Sequence, residues 1–579
     1  MKGLAKYIRP YWGFICLTML IKLLGAVLEL WIPSLMEVML DEKAVSGDAN
    51  QIWLFGGLMI LCAAGCLAMN ILSNRMSAVS SGKITRKIRY DLFNKLQHLS
   101  ARQMDEITVS SAESRLTSDT YNVNQMLARI QRMGIRAPSL LIGGIIMMLT
   151  MDPVMALLMV ALLPFIVLVV LVVTKYSVPL HTRQQTVLDK VVRVVQENIT
   201  GIRVIKALSK TEYEKGRFNE VNTELSDVGL RAGMVTGITN PISSLILRIG
   251  LTLAVVIGAM RVDSGIMKPG VIVAALQYFV TIINAMMAVT RIFIMWAKGE
   301  ASAKRVSAVL ETPEDLLVIM AEAEPPRQPA HIEFENVSFS YTGVGNNLEN
   351  LSFRLEHGQT LGILGGTGSG KSTIIHLLMR LYDVDSGTIR IDGQDIRTIP
   401  NAQLREKFGV VFQNDFVAGG TIGGNISFFR DVPKDRLEQA AEHAQAAFIA
   451  EKEGRMDAEV VMRGNNLSGG QKQRLLIARA LAANPEILVL DDASSALDYA
   501  TDAQLRRALR ENYRNTTTVV VAQRVSSLRH ADLILVLDDG AIIGMGDHDY
   551  LMEHCEEYRL IAQTQMGEGK EGERCAVLE

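Results

Sequence analysis

The sequence predicts two covalently joined parts: an α-helical membrane domain with six transmembrane helices, followed by an α/β domain. Three observations support this fold class. Apolar runs of membrane-spanning length occur only before about residue 298, and a spanning helix needs roughly 20 apolar residues. After residue 331, β-rich runs alternate with helical stretches, which is typical of a largely parallel sheet. The mean hydropathy, +0.20, is high for a soluble protein.

Six candidate spans account for the apolar half of the chain. The apolar stretch 134–180 holds two of them, because Asp152 and Pro153 interrupt it as a tight turn. No cleavable signal peptide is evident, since the first apolar run is too long and directly follows basic residues. The predicted spans are 12–38, 52–76, 134–151, 154–177, 240–261 and 270–297.

Basic residues between the spans predict the orientation in the membrane. The segments 79–133 and 179–240 carry nine Lys and Arg residues each, whereas the other loops carry few. By the positive-inside rule, we expect both segments and both chain termini on the cytosolic side. The run 88–96 keeps a helical period without Gly or Pro, so the membrane helices are expected to continue well into the cytosol.

A change in composition separates the two parts. We expect the membrane domain over 1–310 and a proline-containing acidic linker over 311–330. The α/β domain is expected over 331–565, and 566–579 is expected to be a disordered tail. The net charge of −2 gives no argument for binding nucleic acid.

The strongest motif opens the α/β domain and fits G-x-x-x-x-G-K-[ST] at every fixed position. It follows the strand-like run 360–364, and its glycines would let backbone N–H groups wrap phosphates at a helix N-terminus. Lys371 would reach the β- and γ-phosphates, and Ser372 would bind Mg²⁺. The candidate residues are Gly365, Gly366, Thr367, Gly368, Ser369, Gly370, Lys371, Ser372 and Thr373.

A second motif consists of two aspartates after the strand-like run 487–490. A carboxylate at the end of a strand can hold Mg²⁺ through water, which is the role expected of Asp491. The next residue, Asp492, would lie near the attacking water and is the candidate for the catalytic base. These aspartates begin 120 residues after Lys371, which makes the pair of motifs far more specific than either one.

Residues 467–474, Leu-Ser-Gly-Gly-Gln-Lys-Gln-Arg, resemble the intact signature motif of ABC exporters. They begin shortly before Asp491, in the order that the family has. Residues 491–498 resemble a Walker B motif that continues into the D-loop with Asp498, and 197–207 resembles the second intracellular loop of the membrane domain. The signature residues are Leu467, Ser468, Gly469, Gly470 and Gln471.

The resemblance covers nearly the whole chain and extends to single residues. Gln413 resembles the Q-loop glutamine near the metal, and Tyr341 resembles the aromatic residue that stacks on adenine. The resemblance implies a half-transporter that binds ATP and Mg²⁺ with an α/β P-loop ABC ATPase domain. In this family each nucleotide lies between the Walker motifs of one domain and the signature of another. One chain therefore builds half of each site.

Two departures from the family pattern lie in the implied hydrolytic site. Asp492 stands where the family has a catalytic glutamate, and Gln523 stands where it has a switch histidine. The aspartate carboxylate ends roughly 1–1.5 Å short, and misplacement of that size forfeits much of a positioned base's contribution. Glutamine forms hydrogen bonds but carries no charge. A third departure, Met462, replaces a frequent glutamate.

These departures predict the degenerate-site subunit of a bacterial heterodimeric, multidrug-type exporter. Its own Walker site would hydrolyse ATP weakly, and its signature would complete the site of a partner subunit. The expected function is alternating-access export of amphipathic or hydrophobic compounds (drug, lipid or peptide) across the plasma membrane. Motion would be transmitted near 114–120 and 206–215. The alternatives are a slow homodimer, an importer of metal chelates and a non-transporting ATP-gated regulator.

Charged residues within or near the spans are candidates for function, because burying charge in a membrane is costly. They are Lys22, Glu29, Arg248 and Arg291. Lys22 and Glu29 are seven residues apart on one helical face and could pair. Structural pairing or snorkelling would explain these charges equally well.

Overall fold

The computed structural model describes residues 2–319 and 330–566. The chain divides into two compact units, which we call the helical unit and the α/β unit. The helical unit is Met1–Gln97 with Val109–Thr312, and the α/β unit is His98–Thr108 with Pro313–Glu579.

The first 310 residues are almost entirely helical. Among the residues that the structure describes, six helical stretches are long and apolar enough to cross a membrane, which confirms the predicted class of this half. The longest helix, α8, has 55 residues and would extend about 80 Å. The helices are α1 (Ala5–Ile8), α2 (Trp12–Val38), α3 (Ala49–His98), α4 (Ala101–Ile107), α5 (Val109–Ser114), α6 (Thr120–Met133), α7 (Arg136–Met151), α8 (Pro153–Ala207), α9 (Thr211–Gly237), α10 (Thr239–Asp263) and α11 (Pro269–Leu310).

The predicted turn at Asp152 and Pro153 separates α7 from α8. Asp152 caps α8, because one carboxylate oxygen accepts hydrogen bonds from the backbone N–H groups of Val154 and Met155, both at 2.9 Å. Its other oxygen accepts from the Arg261 guanidinium at 2.7 Å. The buried carboxylate is thus fully paired, and it joins α8 to the end of α10.

Lys22 and Glu29 do not pair with each other, so the pairing that their spacing allowed is wrong. The Lys22 ammonium is buried and donates to the side chains of Asn70 and Asn74 in α3, at 2.6 and 3.2 Å. Both oxygens of Glu29 accept from Arg136 of α7 at 2.8 Å. A helical period shows which residues share a face, and here the partners come from neighbouring helices. Arg248 and Arg291 are exposed.

The α/β unit contains a six-stranded sheet of order β12-β11-β3-β10-β9-β6, in which only β12 is antiparallel to its neighbour. The predicted parallel sheet is therefore confirmed. A second, antiparallel sheet has the order β2-β1-β4-β5. The strands are β1 (Ile332–Phe339), β2 (Leu348–Leu355), β3 (Thr360–Gly365), β4 (Ser386–Ile391), β5 (Gln394–Asp395), β6 (Phe408–Val411), β7 (Gly420–Thr421), β8 (Glu459–Val460), β9 (Ile487–Asp491), β10 (Thr517–Val521), β11 (Leu533–Asp538) and β12 (Ala541–Gly546).

Helices cover the parallel sheet, and its strands are buried with them in shared hydrophobic clusters. Near-continuous burial explains why β9 is apolar up to its final residue, Asp491, and why β10 consists of β-branched residues. The helices are α12 (Lys371–Leu378), α13 (Asn401–Glu406), α14 (Ile422–Ser427), α15 (Lys434–His443), α16 (Phe448–Glu451), α17 (Gly469–Ala482), α18 (Tyr499–Asn512), α19 (Val525–Leu528), α20 (His548–His554) and α21 (Glu556–Met566).

The short helix α4 belongs to the α/β unit although it lies in the sequence of the helical half. Ser100 caps it in a reciprocal capping box with Gln103, and Ala101 packs against the core of the unit. The Tyr382 hydroxyl donates to the Asp105 carboxylate at 2.6 Å. Unlike α4, the two segments expected to transmit motion, 114–120 and 206–215, belong to the helical unit.

We expect Tyr382→Phe to loosen α4, because it removes a hydrogen bond to a carboxylate. Asp105 is exposed, so we expect a loss of about 1 kcal/mol, which corresponds to roughly fivefold faster hydrogen exchange of the α4 amides. Mass-spectrometric hydrogen exchange on the full chain measures this, with the exposed Tyr550→Phe as the control. Unchanged α4 exchange in Tyr382→Phe would show that packing alone holds the helix.

The segment immediately before the described gap is also part of the α/β unit. Arg380 is fully buried and donates to the carbonyl oxygen of Leu317 at 2.7 Å and to the Asp383 carboxylate at 2.8 Å. The N–H of Ile319 donates to the carbonyl of Arg397 at 3.0 Å. The predicted linker, 311–330, thus contains residues that are built into this unit. Pro325, Pro326 and Pro329 of the linker lie outside the described residues. The predicted tail, 566–579, also lies outside them, apart from Met566.

Candidate functional site

The glycine-rich loop connects the carboxyl end of β3 to the start of α12, as its sequence context predicted. Gly368 and Gly370 have φ angles of +86° and +98°, which side chains rarely adopt. A Cβ on Gly370 would lie 2.6 Å from the Leu348 side chain and 2.9 Å from the Asn347 carbonyl oxygen. This position therefore requires glycine for both conformation and space.

A cavity of about 290 Å³ opens in front of this loop. It brings together residues from five places in the sequence, four of which follow the parallel strands β3, β6, β9 and β10. Sequence reasoning did not identify Asn347, which also lines it. The predicted residues that line it are Thr367, Gly368, Gly370, Lys371, Ser372, Thr373, Gln413, Asp491, Asp492 and Gln523.

The loop offers hydrogen-bond donors that suit phosphate. The Lys371 ammonium donates to the carbonyls of Gly365 and Gly366, at 2.9 and 2.5 Å, and lies at the cavity wall. Burial lowers the pKa of Lys371, against the opposing effect of the Asp491 and Asp492 carboxylates. The Ser369 hydroxyl is buried and has no partner among the described residues. Ser369 is not among the residues that line the cavity, whereas a phosphate group there would give the Lys371 ammonium a further acceptor.

The Mg²⁺-binding role expected of Ser372 and Asp491 fits their chemistry. The Ser372 hydroxyl donates to the Asp491 carboxylate at 2.9 Å, so two oxygen ligands lie side by side. Burial raises the pKa of Asp491, partly opposed by this hydrogen bond. Oxygen ligands are those that Mg²⁺ prefers, and bound Mg²⁺ would neutralise phosphate charge.

The two departures from the family pattern contact each other in the cavity. The Gln523 amide lies 3.4 Å from the Asp492 carboxylate and donates to it. Burial, together with the neighbouring Asp491 carboxylate, raises the pKa of Asp492. Gln565 of α21 holds the Gln523 backbone carbonyl at 2.7 Å. The sequence carries no signal for Gln565, because its role depends on a helix folded back from the end of the chain.

The signature residues form the N-terminus of α17. The Ser468 hydroxyl accepts from the backbone N–H of Gln471, and the Gln471 side chain accepts from the backbone N–H of Ser468. Leu467 is buried, whereas Ser468 and Gly469 are exposed and Gly470 is half-buried. None of these residues lines the cavity described above. The helix N-terminus therefore presents its free N–H groups elsewhere.

The D-loop and Tyr341 have local structural partners. Asp498 caps α18 by accepting from the N–H of Thr501 at 2.9 Å. Gln473, which sequence reasoning missed, joins α17 to this loop by accepting from the N–H of Ala496 at 2.9 Å. The Tyr341 ring packs edge-on against Phe339, and its hydroxyl lies 3.0 Å from His376 Nδ1. Adenine stacking by Tyr341 stays a prediction.

Six membrane-length helices joined to a phosphate-binding α/β unit define a membrane-embedded nucleoside triphosphatase. The family model described as the ABC transporter transmembrane region matches residues 15–286. The model described as ABC transporter matches residues 348–495. The chain belongs to the ABC transporter family, as a half-transporter of the exporter type with fused membrane and ATP-binding domains.

Individual relatives match along nearly the full length of the chain. The uncharacterised ABC transporter ATP-binding protein YfiB of Bacillus subtilis is 33% identical over 99% of this chain and 100% of its own. The ATP-dependent lipid A-core flippase of Vibrio vulnificus is 28% identical, with 98% of each chain covered. The structure of a bacterial Atm1-family ABC exporter with ATP bound is 25% identical, with a TM-score of 0.81 over 96% of this chain and 99% of that one.

Membership of the family establishes the general activity. The chain is a multi-pass membrane protein whose ABC ATPase domain binds ATP and drives transport across the membrane. Exporters of this kind act as dimers. The predicted resemblance to ABC exporters is thus confirmed at the level of the half-transporter.

Proposed function

We propose that this chain is the degenerate-site subunit of a heterodimeric ABC exporter. The observation that carries the proposal is the contact between Asp492 and Gln523, the two residues that depart from the family pattern. Both residues line the cavity that the glycine-rich loop also lines. The signature at the start of α17 keeps its full sequence and a regular cap. The chain thus combines an altered Walker side with an intact signature.

The altered side chains favour nucleotide binding over hydrolysis. The loop, Lys371 and Ser372 supply the groups that hold ATP with Mg²⁺. An aspartate base is one methylene shorter than glutamate, and the neutral Gln523 amide cannot supply the charge of a protonated histidine. A positioned acid–base group contributes about 10²–10⁴-fold to rate. The site is therefore proposed to retain ATP while hydrolysing it slowly.

Because the signature is intact, we propose that ATP is hydrolysed mainly at the Walker site of a partner subunit. An N-terminus of α17 with exposed Ser468 and Gly469 offers a second cradle for the phosphates of a nucleotide held by that partner. ATP binding would close the paired domains, and hydrolysis at the partner's Walker side would reopen them. Such a cycle requires two states with different affinities for nucleotide.

Orientation and substrate class complete the proposal. We place the ATPase domain and both termini in the bacterial cytoplasm, because the segments 79–133 and 179–240 carry the basic residues. We propose an amphipathic or hydrophobic substrate, a drug, lipid or peptide. The similarity to the Vibrio vulnificus lipid A-core flippase supports an amphipathic substrate.

The test compares ATPase activity of this chain alone, in lipid nanodiscs, with that of the chain co-expressed with a half-transporter encoded beside its gene. We expect strong activity only in the pair. That activity should disappear when the partner's catalytic carboxylate is neutralised and persist in Asp492→Asn of this chain. Full activity of the chain alone, abolished by Asp492→Asn, would instead make Asp492 a working base in a homodimer.

A further inference from the structure

A second cluster of chemically reactive side chains lies in the α/β unit, at the opposite end of β3 from the phosphate-binding loop. It consists of His331, His357 and Asp392, whose nearest nitrogen and oxygen atoms all lie within 4.8 Å of one another. With β3 six residues long, about 20 Å of strand separates this cluster from the loop. We propose that these three side chains bind a divalent transition-metal ion, Zn²⁺ in particular.

Three separate segments bring the cluster together. His331 directly precedes β1, His357 lies in the turn between β2 and β3, and Asp392 directly follows β4. The antiparallel pairing of β1 with β4 places Ile332 opposite Ile391. The backbone N–H of Asp392 also donates to the carbonyl of His331 at 3.0 Å. The sheet therefore fixes the positions of two of the three ligands.

His331 has the features of a ligand that is already oriented. Its side chain is 1% exposed, and its Nδ1 lies 2.5 Å from the Thr517 hydroxyl. That hydroxyl also accepts from the N–H of Gly358 at 3.0 Å, and its second lone pair can accept from a protonated Nδ1. In this tautomer Nε2 carries a lone pair. The Nε2 atom is buried and has no hydrogen-bond partner among the described residues.

The two nitrogen–oxygen distances bracket the spacing expected of ligands on a tetrahedral ion. His357 Nε2 lies 2.9 Å and His331 Nε2 lies 4.0 Å from Asp392 Oδ1. Two ligands at zinc's usual bond lengths of about 2.0–2.1 Å are roughly 3.3 Å apart in a tetrahedron. The two imidazole rings stack with centroids 3.8 Å apart. The His357 ring would have to leave this stack to direct its lone pair at a shared ion, and its exposed side chain leaves room for that movement.

The Asp392 carboxylate pairs with a lysine through one oxygen, which leaves the other oxygen available to a metal ion. Asp392 Oδ2 lies 3.5 Å from the Lys407 ammonium, which also pairs with Glu486. Asp392 Oδ1 faces the two histidines. Two imidazoles and one carboxylate are a ligand set that zinc favours, with water as the fourth ligand. The Thr517 hydroxyl would act as the outer partner that fixes the tautomer of His331.

Metal binding to the full chain tests this proposal. The chain is purified without a polyhistidine tag, reconstituted in nanodiscs and washed with chelator. It is then dialysed against Zn²⁺, and the bound metal is counted by mass spectrometry. We expect one more Zn²⁺ per chain in the wild type and in His554→Ala, which removes an exposed histidine elsewhere in this unit, than in His357→Ala. Asp392→Asn should weaken binding about tenfold or more.

Co²⁺ gives an independent readout, since a tetrahedral nitrogen and oxygen site produces visible absorption that His357→Ala should abolish. His357 is exposed, so this variant should fold and keep the ATP affinity of the wild type. Equal zinc stoichiometry and affinity in His357→Ala and His554→Ala would overturn the proposal, as would the absence of stoichiometric Zn²⁺ binding by the wild type.

Discussion

Ser468→Asp is expected to reduce the ATPase activity of the assembled transporter by about 10²–10³-fold, the effect of losing one preorganised donor site at a reacting phosphate. Ser468 is exposed at the N-terminus of α17, and its hydroxyl caps that helix. Aspartate caps helices as well as serine does, so the fold of α17 should survive. The added carboxylate would repel the γ-phosphate of the nucleotide held by the partner.

Ser468→Asn is the matched control, because asparagine has nearly the same size and also caps helices but adds no charge. We expect its activity to stay far above that of Ser468→Asp. Steady-state phosphate release from the reconstituted pair measures both variants. If Ser468→Asp hydrolyses ATP as fast as Ser468→Asn, the signature of this chain does not serve the hydrolytic site.

The second large effect is an increase in the rate of ATP hydrolysis. Asp492→Glu combined with Gln523→His should raise hydrolysis at this chain's own Walker site by about 10²-fold or more, because it restores a longer base and a titratable partner. Asp492 has a φ angle of +51°, which aspartate tolerates better than glutamate. Backbone strain in the glutamate variant will therefore offset part of the gain in hydrolysis rate. The measurement needs a pair whose partner subunit lacks its own catalytic carboxylate.

The single variants Asp492→Glu and Gln523→His together separate the contributions of the two positions to the rate of hydrolysis. Because Gln523 donates to Asp492, we expect the double variant to exceed the product of the single effects. ATP affinity serves as the control and should stay unchanged. A double variant that binds ATP normally but hydrolyses it no faster would show that neither residue limits the rate.

Strong, local signals made most of the architecture predictable. Runs of membrane-spanning length and the turn at Asp152 defined the helices, and the glycine-rich loop between β3 and α12 defined the phosphate site. Both depend on contiguous residues, so a single sequence contains them. The segment 79–133 was harder, because no Gly or Pro lies between 88 and 100 to mark the end of α3. The capping box of Ser100 and Gln103, with its S-x-x-Q spacing, was the available signal that a separate helix begins there.

Features that depend on long-range contacts were not predictable from one sequence. The partner of Glu29 is Arg136, 107 residues away, and no helical period contains that information. Asn347 lines the cavity and Gln565 donates to the Gln523 backbone carbonyl because the chain returns to this region from distant elements. His331 and His357 carry no motif at all. Their proximity follows from the register of β1 with its neighbours.

The buried Arg380 determines where the ATPase could be excised as a soluble fragment. Its guanidinium is fully enclosed, and one of its acceptors is the carbonyl of Leu317, upstream of the first strand. A fragment that begins at residue 331 would keep the Asp383 carboxylate but lose this hydrogen-bond acceptor of a buried cation, which costs about 1.5–3 kcal/mol. A fragment from residue 313 keeps that acceptor. Adding 98–108 as a separate peptide should then restore the partner of Tyr382 and measure how tightly α4 is held.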